Sequence, residues 1–131
     1  MNDPARSQEL VVLGRNYGIC KFGAAALLPT WVDGGDFWSV SRTPEELSIV
    51  CEERLIPSGV HSEPGFSCLK VIGPLGFESV GVIASLTSAL AASGISVFAI
   101  STFDTDYLLV RQTALPDAIH ALREAGHVVQ F

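Results

Sequence analysis

Asp104 and Asp106 stand two residues apart in the string ISTFDTDYLLV, and a loop rich in glycine and proline, GPLGFES (Gly73 to Ser79), leads into an apolar run of helical period. Together these residue types can do one piece of chemistry. The first-turn N–H groups of a helix lack intrahelical partners, and the helix dipole favours an anion beside them. A carboxylate, in turn, accepts hydrogen bonds from an ammonium. Brought together, the loop-to-helix junction and the aspartates would hold both charged ends of a free amino acid. The plainer use of the same residues is that Ser79 or Glu78 caps the helix and the two aspartates make a turn.

The elements that must position them lie in the run Gly76 to Val110, which carries no charge between Glu78 and Asp104. That uncharged stretch is long enough to span a bilayer, where about 20 apolar residues suffice. Its serines and threonines, and a change of period at Gly94, argue instead for two shorter elements. Before Gly94, Val82, Ile83, Leu86 and Leu90 recur at helical spacing; after it, Ile95, Val97, Phe98 and Ile100 are strand-forming types. Gly94 is then placed to close the helix in a left-handed conformation. Asp104, Thr105 and Asp106 interrupt the strand before a second apolar run, Tyr107 to Val110, which predicts a hairpin.

This segment and SRTPEELSIVC upstream resemble small bacterial tandem ACT-domain proteins and the ACT repeats of the cytosolic arginine sensors, over roughly Leu10 to Val129. The resemblance implies a βαββαβ fold that binds amino acids, commonly where two domains pack side by side. It also implies ligand contacts at Gly76, Ser79, Val82, Thr102, Phe103, Thr105 and Asp106. Where the sensors carry an acidic and an aromatic residue, this chain has Ser79 and Thr105, which removes two natural partners of a guanidinium.

The remaining composition narrows the class. The 131 residues are 48% hydrophobic and 17% charged, the balance of a compact soluble protein rather than a disordered one. A net charge of −6 with no Lys/Arg cluster disfavours nucleic acid and anionic membrane surfaces, since phosphate neutralisation dominates affinity for both. Cys20, Cys51 and Cys68 are odd in number and widely spaced, so they read as small buried residues of a reducing compartment. With His61 they lack the short ligand spacing of a zinc site. The N-terminal MNDPARSQE has no apolar signal region, which predicts a cytoplasmic protein.

In chain order, Glu9–Leu13 and Tyr17–Phe22 read as a hairpin turning at Gly14 and Asn16, and GAAALL (Gly23 to Leu28) as a short helix stopped by Pro29. Trp31 and Trp38 read as core residues, and Phe37 to Ser41 as a strand. Thr43, Pro44 and Glu46 form a capping-box pattern predicting a helix to about Arg54, with Leu47, Val50 and Cys51 inward and Glu45, Glu46, Glu52 and Glu53 on a solvated face. Ile56 to Gly65 reads as a linker. A strand from Ser67 to Ile72, the central helix and hairpin, a helix from Leu115 closed by Gly126, and a strand from His127 complete βαββαβ in the second half. His120 belongs on the edge of that last helix.

The expected architecture is therefore α+β: an N-terminal ACT-like half (1–58) and a C-terminal ACT domain (65–131), ferredoxin-like, with antiparallel sheets and helices on one face. No nucleophile elbow, phosphate loop, dinucleotide fingerprint or metal motif is present, so neither catalysis nor a cofactor or metal is expected. A regulatory, amino-acid-binding module follows, with a protein–protein interaction module as the alternative. Small apolar halves gain burial by pairing, which makes a homodimer the expected assembly.

Overall fold

The computed structural model describes residues 7–76 and 79–131. They form two compact units: residues through Gly14 with Ser67–Phe131, and Arg15–Phe66.

In the first unit the expected βαββαβ order is found as β4 (Ser62–Val71, entering from the second unit), α1 (Val82–Ala92), β5 (Phe98–Ser101), β6 (Asp106–Arg111), α2 (Leu115–Glu124) and β7 (Val128–Gln130). The helices end as their glycines predict. Gly94 and Gly126 take φ of +72° and +97°, and the Ile95 N–H reaches back to the Leu90 carbonyl at 3.0 Å. The sheet order is β7-β1-β4-β6-β5, where β1 is Glu9–Phe22. The strand that opens the chain thus lies between the first and last strands of the βαββαβ unit, with Glu9–Val11 parallel to Val128–Gln130. One apolar core joins sheet and helices. Leu10, Leu69, Val71, Leu108, Val110 and Val129 from the strands meet Val82, Leu86 and Leu90 of α1 and Ala118, Ile119 and Leu122 of α2. Each buried Val, Leu or Ile among these stabilises by about 1.5–3 kcal/mol relative to exposure, which is what holds α1 in place. His120 is exposed on α2, one turn from Glu124.

The second unit departs from several expectations. The hairpin at Gly14 to Asn16 is absent: β1 runs unbroken through these residues, none of which takes a positive φ. The short helix at Gly23 to Leu28 is absent too, because the Arg42 guanidinium takes the carbonyls of Ala24 and Ala26 (2.7 Å to the latter). The predicted Thr43–Arg54 helix is instead a turn and a strand, β3 (Leu47–Glu52), paired antiparallel with both β2 (Ser39–Arg42) and β1. Thr43 Oγ1 does accept the N–H groups of Glu45 and Glu46, each at 3.1 Å, so the capping residues cap a hairpin turn. Among its described residues this unit has no α-helix, so the βαββαβ order expected of an N-terminal half is not found there. The predicted linker gives up its last residues to β4, which starts at Ser62.

The core of this unit gathers Cys20, Val32, Leu47, Ile49 and Cys51, with Trp31 and Val40 against it, while Trp38 is 39% exposed. Glu52, expected on a solvated face, is 2% exposed. Burial alone would raise its pKa, but the Asp36 N–H at 2.9 Å, the Arg54 guanidinium at 2.9 Å and Arg15 at 3.7 Å outweigh burial and hold the carboxyl below its ordinary range. All three cysteines are free and buried, as expected, and burial pushes the thiols of Cys51 and Cys68 up to about 12. No helix among the described residues is long and apolar enough to cross a membrane.

Candidate functional site

The segment after β4 is tied to the hairpin of β5 and β6. Thr105 Oγ1 donates to the Val71 carbonyl at 2.6 Å, and the Leu75 N–H donates to the Asp104 carbonyl at 2.7 Å. The approach is close at Gly73, where an added Cβ would lie 3.0 Å from that same Asp104 oxygen. Further on, the Ser79 N–H turns back to the Gly76 carbonyl at 3.0 Å. Phe77 and Glu78 lie outside the described residues, and so does any capping role for Glu78.

Helix α1 then starts later than its sequence suggests. Its N-cap is Gly81, left-handed at φ 82°, with no side-chain cap and no acidic residue in the first turn. Ser79 stands two residues before that cap, exposed, and does not cap the helix. The first-turn N–H groups are consequently left to the space in front of them. That space is an open cleft of about 640 Å³, lined by Val82, Ile83 and Ala84 on one side and the hairpin turn on the other.

The hairpin turn holds itself. Thr102 and Thr105 exchange hydrogen bonds, with the Thr102 N–H on the Thr105 carbonyl at 2.8 Å and the Thr102 hydroxyl on the same oxygen at 3.0 Å. In the β5/β6 register Ser101 faces Asp106, and its hydroxyl donates to Asp106 Oδ1 at 2.6 Å. Asp106 is 8% exposed and is among the residues lining the cleft; Asp104, on the turn, is exposed. Phe103 is 77% exposed at the mouth.

All seven residues expected at the site, Gly76, Ser79, Val82, Thr102, Phe103, Thr105 and Asp106, line this one cleft. Sequence reasoning missed Ser101 and Gly81. Ser101 could have been found by counting back across the hairpin from Asp106. Gly81 carried no signal apart from being a glycine near a helix start. The arrangement offers N–H donors and a positive dipole end on one wall, and a buried carboxylate on the other.

A Ser–His contact elsewhere in this unit is not built for nucleophilic chemistry. Ser85 Oγ lies 3.2 Å from His127 Nε2, but His127 Nδ1 accepts the Gln8 N–H at 2.9 Å. In the neutral ring the proton therefore sits on Nε2, so that nitrogen cannot take the serine proton. Burial lowers the His127 pKa and keeps the ring neutral. Among the described residues, no group of three or more His, Cys, Asp or Glu side chains is placed to hold a metal.

Comparison with known proteins adds to this geometry. The ACT-domain family matches residues 61–124, and a second family, defined as an N-terminal domain, matches residues 15–59. The human protein CASTOR3P is 31% identical over 101 residues, covering 66% of this chain and 61% of that one. The human cytosolic arginine sensor for mTORC1 subunit 1 is 40% identical over 50 residues, 38% of this chain and 15% of the sensor. The chain thus spans 61% of the length of the first of these relatives and 15% of the second. Among solved structures, protein Atu0741 from Agobacterium tumefaciens superposes with a TM-score of 0.89 at 43% identity, covering 94% of this chain and 92% of that one. The regulatory subunit of aspartate kinase from Thermus thermophilus shares the fold at 14% identity, with a TM-score of 0.56 over 88% of this chain and 99% of that one.

Proposed function

From the premise that this chain belongs to the ACT-domain proteins, we propose that it is a regulatory module that binds a free amino acid in the α1/hairpin cleft. The observation that carries this reading is that the N-terminus of α1, which has no side-chain cap, and Asp106 line a single cleft. The ligand's α-carboxylate would sit on the N–H groups of Val82, Ile83 and Ala84, where backbone donors and dipole act together. Its ammonium would sit on Asp106, oriented by Ser101. A cleft of about 640 Å³ accommodates any of the twenty amino acids. A thermal-shift screen of the twenty tests the reading, since a ligand at 100 times its Kd adds about 2.7 kcal/mol of stability. At least one should raise the transition; a flat screen removes amino-acid binding and leaves the interaction-module reading.

A second observation favours self-association. Val80 (83% exposed) and Phe103 (77%) flank the cleft, and β5, the last strand in the sheet order, exposes Phe98. Apolar side chains beside an edge strand suit a second copy of the chain. Light scattering should show a particle near twice 13.9 kDa, and Phe103→Ser should return it to the monomer mass. A wild-type monomer at micromolar concentration refutes this.

A further inference from the structure

Beyond its two charged ends, the cleft is lined by apolar groups and by hydroxyls whose protons are already committed. Ser101 donates to Asp106, Thr102 to the Thr105 carbonyl, Thr105 to the Val71 carbonyl, and Thr87 to the Ile83 carbonyl at 2.8 Å. Ser79 is the remaining hydroxyl, and it stands exposed at the rim. No Lys, Arg or His is among the described lining residues, and the charged ones are Asp104 and Asp106. Toward a ligand's side chain, then, the wall presents lone pairs, carboxylate and hydrocarbon.

Resting on the amino-acid reading above, we infer that the site selects monocarboxylic amino acids and rejects those with a second carboxylate. The α-carboxylate consumes the helix N–H groups, so a side-chain carboxylate would leave water with the exposed Ser79 hydroxyl as the one uncommitted side-chain donor among the described lining residues. It would also lie beside Asp104, a like-charge juxtaposition that disfavours binding. A side-chain amide of the same shape avoids both costs, because its NH2 can donate to the wall's acceptors and it carries no charge.

Titration calorimetry with isosteric pairs tests this directly, using asparagine against aspartate and glutamine against glutamate, alongside the other sixteen amino acids. The acids should bind more weakly than their amides by about tenfold or more, or show no heat while other monocarboxylic amino acids do. Asp104→Asn should narrow the gap by improving the acids and leaving the amides within a few fold. Aspartate or glutamate binding as tightly as its amide overturns the inference while leaving amino-acid binding intact. Silence from all twenty removes the binding reading itself, and the inference with it.

Discussion

Asp104 and Asp106 differ little in sequence context and greatly in surroundings, because Asp104 sits on the turn while Asp106 opens strand β6. Asp106 begins β6 opposite Ser101 and is almost fully buried, whereas the Asp104 side chain stays in water while its carbonyl ties down Leu75. A charged hydrogen bond from a partly desolvated carboxylate contributes roughly 1.5–3 kcal/mol, so Asp106→Asn should weaken the ligand found by screening about 10- to 100-fold. Asn can still accept the Ser101 hydroxyl, so the melting temperature should move little. Asp104→Asn should leave a monocarboxylic ligand almost unaffected. Equal losses at both positions would mean that the ammonium is not on Asp106. From the residue pattern alone the meeting of loop and aspartates was conditional on the fold, with a cap and a turn as the plainer use of the same residues. The resemblance singled out Asp106, and the structure buries it while leaving Asp104 exposed.

At the scale of elements, the second half was legible because its punctuation is made of glycines that only one geometry satisfies, such as Gly94 with its Ile95-to-Leu90 bond. The first half was not, because its signals serve two geometries. Thr43 accepts the same N–H groups in a hairpin turn as it would in a helix cap. Leu47, Val50 and Cys51 fit a helical period, yet Leu47, Ile49 and Cys51 alternate into one strand face, and pairing on both sides of β3 decided between them. The late start of α1 was hidden for a related reason, since Gly81 caps through its backbone conformation alone. At φ 82° an L side chain is strained, so Gly81→Ala should destabilise the protein by about 1–2 kcal/mol. Ligand affinity should fall as well, because the first-turn N–H groups are placed by this residue. Urea denaturation and calorimetry on the one variant check both, and unchanged stability would show that the helix is free to start earlier, as Ser79 suggests.

At the scale of the molecule, among the described residues each unit carries one buried titratable group whose pKa is depressed by the fold, and the signs make acid act on each in its own window. His127, in the unit of α1 and α2, is disfavoured as a cation by burial, and protonation would turn Nδ1 into a donor facing the Gln8 N–H. The unfolded chain therefore binds the proton first: the His127 contribution is intact above its ordinary 6.5 and is lost as pH falls from there toward the folded pKa. Glu52, in the other unit, is held below its ordinary 4.5 by Asp36, Arg54 and Arg15 against its burial, so its contribution survives to about that pH and is lost below it. The two windows can be watched apart, because the α-helices of the described residues lie in the first unit and both tryptophans, Trp31 and Trp38, in the second. Between about pH 8 and about pH 5, denaturation followed by helical ellipticity should lose stability in the wild type and keep it in His127→Asn. Below about pH 4.5, denaturation followed by tryptophan fluorescence should steepen in the wild type and flatten in Glu52→Gln, which is less stable throughout. Should His127→Asn keep the wild-type slope in the upper window, the Gln8–His127–Ser85 contact is not what makes this unit acid-sensitive.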